Sequence, residues 1–140
     1  MRERLRDRGR LLDIQEYSAN AMRFAADVSY DEFVADRMRY FAIMKNVEII
    51  GEAANMLTPD FRKQHAELPW EQIIGMRHIL VHGYAEISDM KLWRTVVKDL
   101  PVLHQLVSRY LSETDWDEWQ QQSTEAKLDR SQPKVDGSQA

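Results

Sequence analysis

Cysteine is absent from the 140 residues, which excludes disulfides and thiolate metal sites. No run approaches the ~20 apolar residues of a membrane-spanning helix. The basic N-terminus, MRERLRDRGR, has no apolar region behind it and does not read as a secretory signal, so a cytoplasmic protein is the simplest expectation. Positive charge is also short. The formal net charge is −4, which counts against a broad electrostatic grip on nucleic acid, because phosphate binding draws on clustered Lys and Arg. There is no strand-like alternation, no internal repeat, no Gly-rich phosphate loop and no G-x-S-x-G elbow.

What remains is enough for a core. Apolar residues make up 44% of the chain, and the length suggests one domain. A domain of this size buries roughly two-thirds of the surface that its unfolded chain exposes. The charge is unevenly spread: residues 1–10 carry five Arg against two acids, and residues 111–140 carry seven acids against three bases. Either end could dress one small basic site or simply keep the protein in solution.

Helical periodicity runs through the chain. Leu11, Ile14, Ser18, Ala21 and Ala25 recur at spacings of three and four and predict a first helix from Arg4 to Asp27. Ser29 and Glu32 form a capping box for a long helical stretch to Leu57, with a bend near Asp36 and a stripe of Ile43, Val47, Ile50, Ala54 and Leu57. Thr58 and Pro59 suit the cap and first position of a short helix that ends near Ala66. Pro69 opens the next helix, with Glu71 favourable in its first turn, and Gly83 stops it. Ser88 or Asp89 caps a last long helix from Met90 to Leu111, with a stripe of Leu92, Val96, Leu100, Leu103, Val107 and Tyr110. Pro101 lies inside it and should kink it. These elements predict an all-α fold: an antiparallel four-helix up-down bundle with short additional helices, over residues 1–115. Residues 116–140 read as a polar tail, expected to be disordered from about Gln120.

The chemistry gathers in RHILVHGY, residues 77–84. With Arg77 at 0° on a helix turning about 100° per residue, Ile73, Ile74, Leu80 and Val81 fall within roughly 60° of it. Arg77 therefore projects from an apolar stripe, where Arg is rarely found unless paired. His78 and His82 share a flank, near about 100° and 140° on the same wheel. Singly, each residue has a plain explanation. Arg77 could tie helices together through Glu48 or Glu52. His82 could bond a helix-end carbonyl, and Tyr84 could be a half-buried aromatic. Together they supply the parts for metal-free RNA cleavage. A guanidinium holds a phosphate with a planar fork, and a histidine moves a proton near neutral pH. The substrate's own 2′-hydroxyl is then the nucleophile. Each role is worth on the order of 10²–10⁴ in rate. An apolar stripe that carries a charge can also form a dimer seam. A two-fold axis beside it would set two Arg77 and two His82 around one cleft, gathering positive charge on an acidic protein.

RHILVHGY fits R-x4-H-x-Y, the motif of the HEPN superfamily and specifically of the HepT-like ribonuclease toxins. KNVEIIGEAANML, PWEQIIGMRHILVHGY and KLWRTVVKDLPVL resemble that family in order and spacing, over about residues 10–112. The resemblance implies an all-α bundle acting as a homodimer and a metal-independent endoribonuclease without a cofactor. It implies Arg77 and His82 as catalytic residues; Arg77 and its neighbour His78 are the expected contacts to the RNA phosphate. It also implies a partner antitoxin of the minimal nucleotidyltransferase (MNT) type, which neutralises the toxin by moving AMP from ATP onto the motif tyrosine, here Tyr84. In the family the residue after the arginine is polar and frequently Asn; here it is His78. AMP adds bulk and negative charge at the mouth of a site that must accept phosphate.

Other features have two readings. Glu48, Glu52 and Asn55 share a face and either orient Arg77 or His82 or form a solvated polar face. His78 and His82 have the i, i+4 spacing of metal ligands, but no third ligand is near, since Glu86 lies past the helix end, so no metal is expected. His65 and His104 read as surface residues. Trp70 and Trp93 read as core or seam anchors rather than base-stacking platforms, and Trp116 and Trp119 could pack on the bundle or meet a partner. The competing function is a non-catalytic nucleotide-binding or scaffold partner of a nucleotidyltransferase, which the acidic charge favours.

Overall fold

The computed structural model describes residues 2–82 and 88–122, and every regular element among them is helical. The first helix, α1 (Arg2–Ala25), buries all five residues of its predicted stripe. Ser18, fully buried there, donates its hydroxyl to the Gln15 carbonyl at 3.1 Å. Asp27 then turns the chain at a φ of 59°, a left-handed conformation that Asp tolerates better than most residues.

The expected bend at Asp36 is a break between two helices, α2 (Tyr30–Ala35) and α3 (Arg37–Met56). Ser29 starts α2 with the predicted box: its hydroxyl accepts from the Glu32 N–H and donates to the Glu32 carboxylate, both at 3.1 Å. Asp36 closes α2 with its own N–H and opens α3 by accepting from the Arg39 N–H at 3.1 Å. Thr58 caps α4 (Pro59–Gln64) with Pro59 in the first turn. After Leu68 and Pro69 comes α5 (Trp70–His82). The long arms form the bundle, with α3 between α1 and α5, and the last helix on the other side of α1.

That last helix is not one α-helix. It comprises α6 (Asp89–Arg94), a π-helical turn (Thr95–Asp99) and α7 (Leu100–Glu113). Proline has no N–H, and its ring crowds the carbonyl four residues back. Here the backbone widens before Pro101, and the Leu100 N–H reaches the Thr95 carbonyl, five residues earlier. The disturbance expected as a kink is absorbed as a π turn. The stripe from Leu92 to Tyr110 stays buried throughout.

The packed domain also runs past residue 115. Residues 116–122 are helical, and the Trp119 indole is buried with its N–H on the Asp7 carboxylate at 3.0 Å. Asp7, fully buried, also accepts from the Thr58 N–H at 2.8 Å and the Thr58 hydroxyl at 2.7 Å. Arg4 stacks 4.0 Å over the Trp119 ring, donates to its carbonyl and pairs with Asp60 at 2.9 Å. The boundary expected at 115–116 therefore moves outward; residues 123–140 lie outside the described residues. His65 is likewise not a surface residue. Its ring stacks on Phe61 at 4.0 Å and against Tyr110 at 4.3 Å.

Candidate active site

The site is organised by α5. Trp70 anchors its first turn: the ring is buried and its N–H donates to the His65 carbonyl at 2.9 Å. Glu71, also in that first turn, suits the positive end of the helix dipole. Farther along, α5 lies hard against α3 at Gly51. A Cβ placed on Gly51 would run into Arg77 Cβ and would approach Arg77 Cα to 3.2 Å and the Ile73 carbonyl to 3.0 Å. Only a glycine allows the two backbones to meet there, and the residue they meet at is Arg77.

Arg77 is half-buried in this contact. Its Nε is buried without a hydrogen-bond partner, a state shared among the described residues by the Nε of Arg62 beside the first turn of α5. The ion pair that would make Arg77 a helix tie is not formed with either expected acid. Glu48 pairs with Lys45 at 3.3 Å on its own helix, and Glu52 and Asn55 are exposed. None of the ion pairs among the described residues includes Arg77. Leaving a guanidinium nitrogen buried and unsatisfied is costly, so such a group calls for a partner from outside the described contacts.

The remaining motif residues are placed unevenly. His78 is exposed on α5. His82 is the last residue of α5, and its side chain lies outside the described residues, as does the whole of Tyr84. The described residues on either side of 83–87 are held in place. Leu80 is buried before this stretch. After it, Ser88 caps α6 by accepting from the Lys91 N–H at 3.2 Å. Asp89, the alternative cap, instead accepts from the Tyr40 hydroxyl at 2.7 Å. Burial, and then that hydrogen bond to Asp89, push the Tyr40 hydroxyl up to about 12. Among the described residues no cluster of three or more His, Asp or Glu has the makings of a metal site.

Two parts of the arrangement are not legible in the motif. Gly51 is one, although an isolated glycine inside a helical pattern is a signal for close packing. The other is a groove of about 580 Å³ between α5 and the α6–π–α7 arm, lined by Met76, Ile79, Lys91, Arg94, Asp99 and Leu103 among others.

Among the described residues the bundle is all-α, and Arg77 sits in an interhelical contact outside every ion pair. The chain belongs to the HepT-like ribonuclease family: residues 14–110 match the family described as Ribonuclease HepT-like. A protein of Methanocaldococcus jannaschii named as an RNase is 37% identical over 91 residues, 65% of this chain and 84% of that one. A Thermococcus cleftensis protein named as ribonuclease HepT is 36% identical over 93 residues, 66% of this chain and 84% of its own length. An RNase-named protein of Caldanaerobacter subterraneus is 37% identical over 84 residues, covering 60% and 75% of the two chains. No solved structure matches. Among the described residues no helix is long and apolar enough to cross a membrane.

Proposed function

We propose that this protein is a metal-independent endoribonuclease, the toxin of a toxin–antitoxin pair, and that it acts as a homodimer. The observation that carries the reading is Arg77. Among the described residues its Nε is buried and unpartnered, and of the two acids expected to pair with it, Glu48 is engaged by Lys45 and Glu52 is exposed. A guanidinium so held keeps its outer nitrogens for a ligand, and a phosphate fits that fork.

The reaction needs no group beyond the RNA and the side chains. The 2′-oxygen attacks the adjacent phosphorus, the bond to the 5′-oxygen breaks, and a 2′,3′-cyclic phosphate and a 5′-hydroxyl result. Arg77 stabilises charge on the phosphoryl oxygens. His82 removes the proton of the 2′-hydroxyl, and its symmetry mate protonates the leaving 5′-oxygen. His78, next to Arg77 and exposed, is a second phosphate contact. The dimer supplies both imidazoles and doubles the local positive charge.

Regulation falls on Tyr84. A cognate MNT-type nucleotidyltransferase joins the Tyr84 oxygen to the α-phosphorus of ATP, with pyrophosphate leaving, and the added phosphate repels RNA from the site. Tyr84→Phe should block this modification, read as AMP mass increments, while much of the cleavage persists.

The test is cleavage of RNA by the purified protein in EDTA, with product ends identified as cyclic phosphate. Arg77→Ala and His82→Ala should each lower the rate by about 10²–10⁴ while helicity is retained. Both variants cutting at the wild-type rate would refute the assignment.

A further inference from the structure

We infer that the groove between α5 and the α6–π–α7 arm seats an unpaired nucleotide of the RNA substrate, next to the one that is cut. The role given to that nucleotide rests on the ribonuclease reading; the binding itself does not.

The groove is built by the features that make the last helix irregular. The π turn before Pro101 sends Thr95 and Asp99 to one wall, and π turns occur often at functional sites. Met76 and Ile79 of α5 face Leu103 of α7 across the floor, an apolar slot of the kind that takes the flat face of a base. Lys91 and Arg94, both exposed on α6, stand at the rim. Neither belongs to an ion pair among the described residues, so both can meet a phosphate. Asp99 would repel a bare anion but accepts from the amino edge of a base or from a ribose hydroxyl. Apolar floor, two cations and one acceptor match the three parts of a nucleotide. The volume, about 580 Å³, lies in the range of roughly 300–1,000 Å³ usual for small-ligand sites.

The groove shares a face of α5 with His82, while Arg77 projects from the opposite side of the helix, towards α3. Gly75, Ile79 and His82 follow one another at i, i+4 and i+7 on α5, so their backbone positions share one face. Gly75 and Ile79 line the groove, and His82 comes one turn later. A strand bound in the groove is thereby led towards His82. The signal lay in the sequence as two cations, Lys91 and Arg94, one turn apart on a chain of net negative charge.

Gly75 supplies a clean test. A Cβ there meets nothing within 4 Å, and replacing a mid-helix glycine favours the helix. Gly75→Leu therefore fills the groove in a protein that still folds, which a melting temperature no lower than that of the wild type would verify. The probe is a labelled single-stranded RNA made of 2′-deoxy or 2′-fluoro units, which cannot be cut, with binding to the full chain followed by anisotropy. Gly75→Leu should weaken binding at least tenfold. Lys91→Ala and Arg94→Ala should each weaken it and lower the salt dependence by about one phosphate contact. Arg77→Ala should lower cleavage of natural RNA by about 10²–10⁴ yet leave the groove's share of binding in place. Wild-type affinity in Gly75→Leu overturns the proposal. So does a change in oligomeric mass, which would assign the groove to a second copy of the chain. If natural RNA is never cut but binding still responds to Gly75, the ribonuclease reading falls and the groove stands.

Discussion

Asp7 and Arg77 are both charged residues drawn into the packing of this bundle, and they are treated in opposite ways. The Asp7 carboxylate, sealed among α1, the start of α4 and the helix over 116–122, collects three donors: the Thr58 N–H, the Thr58 hydroxyl and the Trp119 indole. Arg77, at the contact of α3 and α5, keeps a buried Nε with no partner. A group placed for stability is saturated, because each unmade bond costs free energy. A group held ready for a ligand is left open, and the fold bears that cost. Asp7 ties α1 to the cap of α4 and to the helix over 116–122; Arg77 has no such set of partners among the described residues, as the proposed phosphate contact requires.

The contrast breaks if the two residues respond alike to removal. Asp7→Ala leaves three buried donors without an acceptor and should cost roughly 3–5 kcal/mol, the range for breaking a buried charged network. Urea denaturation of the full chain measures this as a lower midpoint at unchanged slope. The surviving folded fraction should cut RNA at the normal rate per molecule. Arg77→Ala should show the reverse: cleavage lower by about 10²–10⁴, with stability within about 1 kcal/mol of wild type, since no satisfied partner is orphaned. An Arg77→Ala protein that unfolds as readily as Asp7→Ala would make Arg77 a structural residue.

This contrast also marks what the sequence could and could not tell. The stripes on α1, α3 and the α6–π–α7 arm were legible because burial in a helix bundle follows the helical repeat. The caps at Ser29 and Thr58 were legible because they act across three residues. The Asp7 network was not, for its partners stand 51 and 112 residues away, and no local pattern encodes that meeting. Pro101 announced a disturbance, but whether a helix kinks or widens depends on what packs against it. The stripe position of Arg77 could be read from spacing alone. Its independence of Glu48 could not, because that turns on how α3 is rotated against α5. His82 and Tyr84 are recognisable by motif, while the His82 side chain and all of Tyr84 fall outside the described residues.

A pair of glycines sharpens the comparison at intermediate cost. Gly51 and Gly75 both sit inside long helices, yet a Cβ on Gly51 collides with Arg77 Cβ and one on Gly75 meets open space. Gly51→Ala should force α3 and α5 apart and destabilise by roughly 1–3 kcal/mol, as overpacking does. It should lower cleavage too, because Arg77 moves with α5. Gly75→Ala should raise stability by up to about 1 kcal/mol through helix propensity. Thermal melts of the two variants side by side decide this, and equal melting temperatures would show that the α3–α5 contact is softer than its geometry.

The smallest effect expected is at Tyr110, whose hydroxyl donates to the Glu67 carboxylate at 2.6 Å. That bond holds the Glu67 carboxyl below its ordinary value of 4.5, while burial, and then the bond to Glu67, push the Tyr110 hydroxyl above its ordinary 10.0. The pair therefore stabilises the fold fully between about pH 4.5 and 10. On the acid side the unfolded chain binds the proton first, so the contribution fades as pH falls below 4.5 and through the lowered Glu67 value. On the alkaline side the unfolded tyrosine ionises first, and the contribution is lost as pH rises past 10. Glu67 is exposed, so water competes for it, and Tyr110→Phe should cost no more than about 1 kcal/mol at neutral pH. The diagnostic is the shape of the difference between wild type and Tyr110→Phe in urea midpoints across pH. It should be flat through neutrality and shrink at both ends. A difference that stays constant into acid would mean that the hydroxyl matters through packing against Phe61 and His65 rather than through Glu67.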